Sequence, residues 1–172
     1  MPRSPVSIRM MSAAMAAILF AAALASSANA QSGPGGMGMR ASQRAGLISA
    51  ESRYSVAETI DRLVAALEEK GLTVFTRINH AENAKNAGID LLPSQLLIFG
   101  NPKLGTKLMK AGQTVALDLP LRALAYEDDE GQVHLVYNDP DHLARRHGLR
   151  GIGEALRTMK GALANLAKTA TE

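Results

Sequence analysis

From Leu47 onward the chain switches repeatedly between two hydrophobic periods. Leu47 to Ser52 reads as a short strand, and Val56, Ile60, Leu63, Val64 and Leu67 then recur at three and four, one stripe of an amphipathic helix. Ser55 and Glu58 form an S-x-x-E capping box at its start, and Lys70-Gly71 closes it with a cation followed by a glycine. Leu72, Val74 and Ile78 alternate with Thr73, Phe75 and Arg77, the period of a strand, and a short helix from Ala81 to Ala87 stops at Gly88. Gln95 to Phe99 is too short for a helix and predicts a buried strand. Asn101-Pro102 pairs an N-cap with proline at the first helical position and opens a helix to about Lys110. Leu121–Glu127 and Gln132–Tyr137 make two strands of a hairpin whose tip holds Gly131, where a positive φ is needed. Asp139-Pro140 repeats the cap-then-proline device before a helix ending at His147-Gly148. Ile152, Leu156, Met159, Leu163 and Leu166 then form a narrow apolar seam on a last helix, fit to pack on its own sheet or on a second chain. Strands alternating with helices, followed by a hairpin, predict an α+β fold: one domain, a mixed sheet of about five strands with helices packed on it, and a C-terminal helix.

The first 46 residues lack this texture. Met1 to Arg9 carries two arginines and no acid, Met10 to Leu24 is an apolar stretch of 15 residues, and Ala28-Asn29-Ala30 places small residues where a signal peptidase reads. A membrane span needs about 20 apolar residues, so the segment reads as a secretory signal cleaved after Ala30. Residues 31–46 contain five glycines and only Met37 and Met39 as large apolar side chains, too little to repay the entropy of ordering. The expected organisation is therefore a signal peptide (1–30), a Gly-rich tether (31–46), an α+β domain (47–150) and an amphipathic helix (151–172), in the periplasm or secreted.

Composition narrows the chemistry. Of 19 basic residues two belong to the signal segment, leaving 17 against 16 acidic ones, so a nearly neutral product gives no reason to expect nucleic acid or a membrane surface as partner. Zero cysteine excludes disulfides, thiol nucleophiles and thiolate-held metals. No cofactor or metal is expected.

Few polar residues stand out. Gly100 to Lys107 nearly matches a phosphate loop, but Thr106 precedes Lys107 and Pro102 removes a backbone donor. What survives is a helix N-terminus near Lys103 and Lys107 that offers its amides to a small anion. His142 and His147 lie five apart and do not converge on one ion from one helix. His80 continues the alternation of the preceding strand toward its covered side, and His134 faces away from Val133 and Leu135. Asp128, Asp129 and Glu130 sit at a hairpin tip, in water.

Several runs occur together in one order: Ser55-Val-Ala-Glu-Thr-Ile-Asp-Arg-Leu, Gly71-Leu-Thr-Val-Phe, His80, Leu97-Ile-Phe-Gly-Asn-Pro-Lys-Leu-Gly-Thr, Leu117-Asp-Leu-Pro-Leu and Tyr137-Asn-Asp-Pro. On these motifs the stretch from about Ser49 to Gly148 resembles the domain-of-unknown-function 302 family. The resemblance implies a compact α+β domain, often a homodimer, with no established reaction or ligand and no catalytic residues to carry over.

The leading expectation is a periplasmic, dimeric, non-catalytic binding module for a small molecule or anion. Its site is expected to form from His80, from Asn101, Lys103, Gly105 and Thr106 of the strand-to-helix loop, and from Tyr137 and Asn138 at a strand end. The alternatives are an enzyme or metal-dependent protein using His80 and a structural or assembly partner.

Overall fold

The computed structural model describes residues 46–172; the expected signal segment and residues 31–45 of the expected tether lie outside them. The elements are β1 (Leu47–Ser52), α1 (Val56–Glu69), β2 (Thr73–Asn79), α2 (His80–Asn86), β3 (Ser94–Gly100), α3 (Pro102–Ala111), a 3₁₀ turn (Gln113–Leu117), β4 (Leu121–Glu127), β5 (Val133–Asn138), α4 (Pro140–Arg146) and α5 (Gly153–Thr171). The caps read from the sequence do their work: the Ser55 hydroxyl accepts from Glu58 N–H at 3.3 Å, and Asn101 and Asp139 cap α3 and α4 ahead of their prolines.

The sheet order is β1-β5-β4-β3-β2, and every neighbouring pair is antiparallel. The fold class is α+β as expected, but the sheet is not mixed. Between β2 and β3, β3 and β4, and β4 and β5 the chain re-enters the sheet at the end where it left, through α2, through α3 with the 3₁₀ turn, and through the hairpin, so these strands alternate in direction. Only α1 carries the chain back along the sheet. Strands β1 and β2 therefore run in the same direction, but they occupy opposite edges and form no parallel ladder.

One face of the sheet carries the core. The predicted stripe of α1 is buried through Val56, Ile60, Leu63 and Leu67, against Leu97 and Phe99 of β3, Ala123 and Ala125 of β4 and Leu135 of β5. At about 1.5–3 kcal/mol for each large aliphatic side chain removed from water, this stripe is what holds the helix to the sheet. The seam of α5 is filled from within the same chain, because Met159, Leu163 and Leu166 are buried and Ile152 and Leu156 pack half-buried against the same cluster. The C-terminal helix is thus part of the domain's core rather than an appendage. Arg62 ties its end to α1 by donating to the Thr169 carbonyl at 3.0 Å while lying over the Tyr54 ring.

Before β1, Gly46 has φ +75°, and a Cβ there would stand 2.2 Å from the His142 ring. That glycine lets the chain enter β1 beneath α4. In β2 a bulge between Val74 and Thr76 adds Phe75, so Val74 pairs with buried Phe99 whereas Ile78 pairs with Leu96 on the other face. The strict alternation read through Ile78 to His80 is broken there, and His80 is instead the first residue of α2, after its Asn79 cap.

Candidate functional site

The sheet register decides which of the expected site residues meet. Thr73 pairs with Gly100 at one end of β2 and β3, and Asn79 pairs with Gln95 at the other. Asn101, Lys103, Gly105 and Thr106 therefore lie at the first end, and His80 at the second. A single site containing all of them does not form. Tyr137 and Asn138 end β5 at the same end as α3, but Tyr137 is buried in the core between Ala123 and Ile48. Burial, and then the charge of Asp139, raises the phenol of Tyr137 above its ordinary value.

The α3 N-terminus is already satisfied. Pro102 has no N–H, Lys103 and Leu104 N–H donate to the Asn101 side-chain oxygen at 2.9 and 3.3 Å, and Gly105 N–H donates to the Asn101 carbonyl at 2.9 Å. The first turn offers no free amide to an anion, because the Asn101 cap takes these donors. Lys103 and Lys107 are exposed.

What α3 does build is a cavity of about 360 Å³ between itself and this end of the sheet. Leu104, Leu108 and Met109 of α3 form one wall, Leu119, Pro120 and Leu121 the opposite one, and Met159 of α5 also lines it. Gly100 and the bulge residue Phe75, 52% exposed, complete the lining on the sheet side, and Asn101 and Thr106 are its uncharged polar residues. The bulge is what gives Phe75 its place at the cavity. Gly105 also lines it, although φ there is not left-handed, and a Cβ would meet only Leu119 Cδ1, at an ordinary 3.8 Å. Backbone and packing do not require glycine in this helix. Its effect is to leave room.

A second cluster holds the cavity wall in place. His147, its side chain 4% exposed at the end of α4, shares a hydrogen bond of 2.6 Å with Asp118 through Nε2 and one of 3.0 Å with Thr114 through Nδ1. Arg146 reaches the same carboxylate at 3.3 Å. Asp118 immediately precedes Leu119, so this buried pair fixes the segment that lines the cavity. On the other sheet face, His134 stacks on Tyr126 and shares a 2.7 Å hydrogen bond with Asp128; that bond is the main cause holding the Asp128 carboxyl below its ordinary value.

Sequence reading found Asn101, Gly105 and Thr106 but not Phe75, Leu119, Pro120, Leu121 or Met159. The signal present in the sequence was a glycine inside a helix, next to a cap that consumed the amides a phosphate would need. Among the described residues no group of three or more His, Asp or Glu side chains is placed to hold a metal ion.

These features define an antiparallel α+β domain with an uncharged apolar cavity at one end of its sheet. Residues 48–166 match the family described as Domain of unknown function DUF302, and the chain belongs to that family. A solved structure, of an uncharacterized conserved DUF302 protein from Bacillus stearothermophilus, shares the fold with a TM-score of 0.66 at 20% identity, over 73% of this chain and 98% of that one. Two curated relatives are each 55% identical over 104 residues: Fluoride-specific ion channel FluC 1 of Brucella suis biovar 1 and Fluoride-specific ion channel FluC 2 of Brucella melitensis biotype 1. The match takes in 60% of this chain but only 41% and 38% of those proteins, so this chain spans about two fifths of their length. No helix among the described residues is long and apolar enough to cross a membrane.

Proposed function

We propose that this domain is an exported, non-catalytic binding module for a small, largely apolar molecule with one uncharged polar group. The observation that carries this reading is the α3 cavity, lined by aliphatic, methionine and aromatic side chains with Asn101 and Thr106 as its polar contacts, and kept open by Gly105 inside a helix. On the scale at which a cavity of about 150 Å³ lodges benzene, 360 Å³ takes about 14 non-hydrogen atoms. A melting screen of small compounds, with 1-naphthol as a naphthalene-sized probe, tests the reading. Apolar compounds with a hydroxyl or amide raise the midpoint, phosphate and fluoride do not, and Gly105→Leu abolishes the rise. A screen without apolar hits, or hits that survive Gly105→Leu, overturns it.

The 55% identity to proteins named fluoride-specific ion channels favours a second reading, in which the domain works beside an ion channel. In that case a tagged domain retains a co-expressed channel in detergent, and the cavity variant Gly105→Leu leaves the retention unchanged. Failure to retain it under conditions where the channel remains folded removes this reading.

A further inference from the structure

The 3₁₀ turn Gln113–Leu117 sets two side chains on one buried imidazole. Val115, fully buried, pins the turn, and the Asp118 N–H closes it by donating to the Val115 carbonyl at 2.9 Å. Thr114 and Asp118, near its two ends, reach opposite nitrogens of His147. Gly112 lets the turn come that close: a Cβ there would stand 2.6 Å from Leu149 Cδ2 and 3.3 Å from the His147 carbonyl oxygen. The hydrogen bonds also fix where the protons lie. A carboxylate only accepts, so the 2.6 Å bond is Nε2–H donating to Asp118. The neutral ring then presents its lone pair at Nδ1, and the Thr114 hydroxyl donates to it at 3.0 Å. Hydroxyl, imidazole and carboxylate therefore stand as nucleophile, base and orienting group. The ring and the carboxylate are buried, whereas Thr114 is exposed, so the base is shielded from water while the oxygen it activates is open to an incoming molecule. Neither Thr114 nor His147 lines the α3 cavity, and the relay is independent of what that cavity binds.

We propose that Thr114 is an acyl-acceptor site, a hydroxyl that takes one acyl group from an activated ester or anhydride and keeps it. Thr114 Oγ1 attacks the carbonyl carbon, and the new Oγ1–C bond forms as the bond from that carbon to the leaving oxygen breaks. The hydroxyl proton passes to His147 Nδ1 and from there to the leaving oxygen, which restores the neutral ring and consumes no further reactant. While the ring carries both protons, Asp118 faces Nε2 and stabilises it. Asp118 is thus a positioning residue, with Arg146 at 3.3 Å on its carboxylate. The product is an ester of threonine, whose alkoxide leaves far less readily than the group it displaced, so the acyl group stays and the chain is a stoichiometric acceptor.

Labelling of the folded protein with p-nitrophenyl acetate, the adducts located by peptide mass spectrometry, tests the proposal. In the wild type an acetyl group appears at Thr114 about a hundredfold or more faster than at Thr76 or Thr158, exposed threonines that serve as controls within the same chain. Thr114→Ala loses this adduct with its fold intact by circular dichroism, and Thr114→Ser keeps it at the same position. Asp118→Asn, which withdraws the acceptor that sets the ring tautomer, slows the labelling about a hundredfold or more while the fold is retained. Acetyl groups confined to lysines and the chain's amino terminus, or Thr114 labelled no faster than Thr76 and Thr158, overturn the proposal. So does a folded Asp118→Asn protein that labels as the wild type does, or a Thr114-dependent release of p-nitrophenolate that continues beyond one equivalent. Should Asp118→Asn unfold, the ratio of Thr114 to Thr158 labelling in the wild type decides alone.

Discussion

Replacing Gly105 by alanine makes the protein more stable and its cavity smaller. Glycine inside a helix costs about 0.5–1 kcal/mol relative to alanine, because the unfolded chain has more backbone freedom to lose. The added Cβ meets only Leu119, at 3.8 Å, so no steric cost offsets the gain. With about 4 °C of midpoint per kcal/mol for a domain of this size, Gly105→Ala melts about 2–4 °C above the wild type. Gly105→Leu adds four carbons that together fill about 100 Å³ on the benzene scale, more than a quarter of the 360 Å³ present. Calorimetric melts of the three proteins, with and without 1-naphthol, separate the two effects: stability rises from glycine to alanine, and the probe-induced shift disappears at leucine. A Gly105→Ala protein that melts below the wild type would refute the reasoning, since glycine would then be a requirement of packing and not a means of leaving space.

Three further outcomes follow from the geometry. Asp118→Ala leaves the buried His147 ring without its acceptor and lowers the midpoint by about 8–12 °C, from a loss of about 2–3 kcal/mol; Thr114→Ala, at an exposed hydroxyl, moves it by less than about 2 °C, and equal effects would show that the pair does not hold the cavity wall. The Asp128 carboxyl, held low by His134, contributes stability that is complete above its unfolded value of 3.8 and is lost as pH falls through the lower folded value. An NMR titration of that carboxyl records the low value, and His134→Phe, which keeps an aromatic ring against Tyr126, brings it back toward 3.8. Gly46→Ala combines a left-handed backbone with a Cβ on the His142 ring; it destabilises by at least about 2 kcal/mol, measured by urea unfolding, and His142→Ala recovers part of that loss.

The local elements of this fold are legible in the sequence because their causes are local. The stripe of α1, its Ser55 cap, the Asn101-Pro102 and Asp139-Pro140 starts and the hairpin at Gly131 each lie within a few residues of what they control. Strand order is not legible, because a connection's length does not say which edge it reaches; β1 and β2, joined by one helix, stand at opposite edges. The bulge at Phe75 is equally silent. It inserts one residue without altering composition, and it turns the alternation leading to His80 onto the wrong face. The cavity joins Phe75 to Met159 and Leu119, residues far apart in the chain, so no window of sequence contains it. Asn101 is instructive in both directions: its cap is legible in the sequence, whereas its consequence, a helix end with no amide left for an anion, lies in the hydrogen bonds of the folded chain.

The position of β1 at the sheet's edge also sets an order in time. Among the described residues its sole partner is β5, and Leu47 pairs with Asn138, 91 positions later. At a synthesis rate of about 5–20 residues per second, β1 waits roughly 5–18 s after emerging before its partner exists. Throughout that interval the amino-terminal half cannot complete its sheet. The topology thus keeps the leading part of the chain unfinished until nearly all of it has been made, the condition in which a chain can be threaded through a membrane pore.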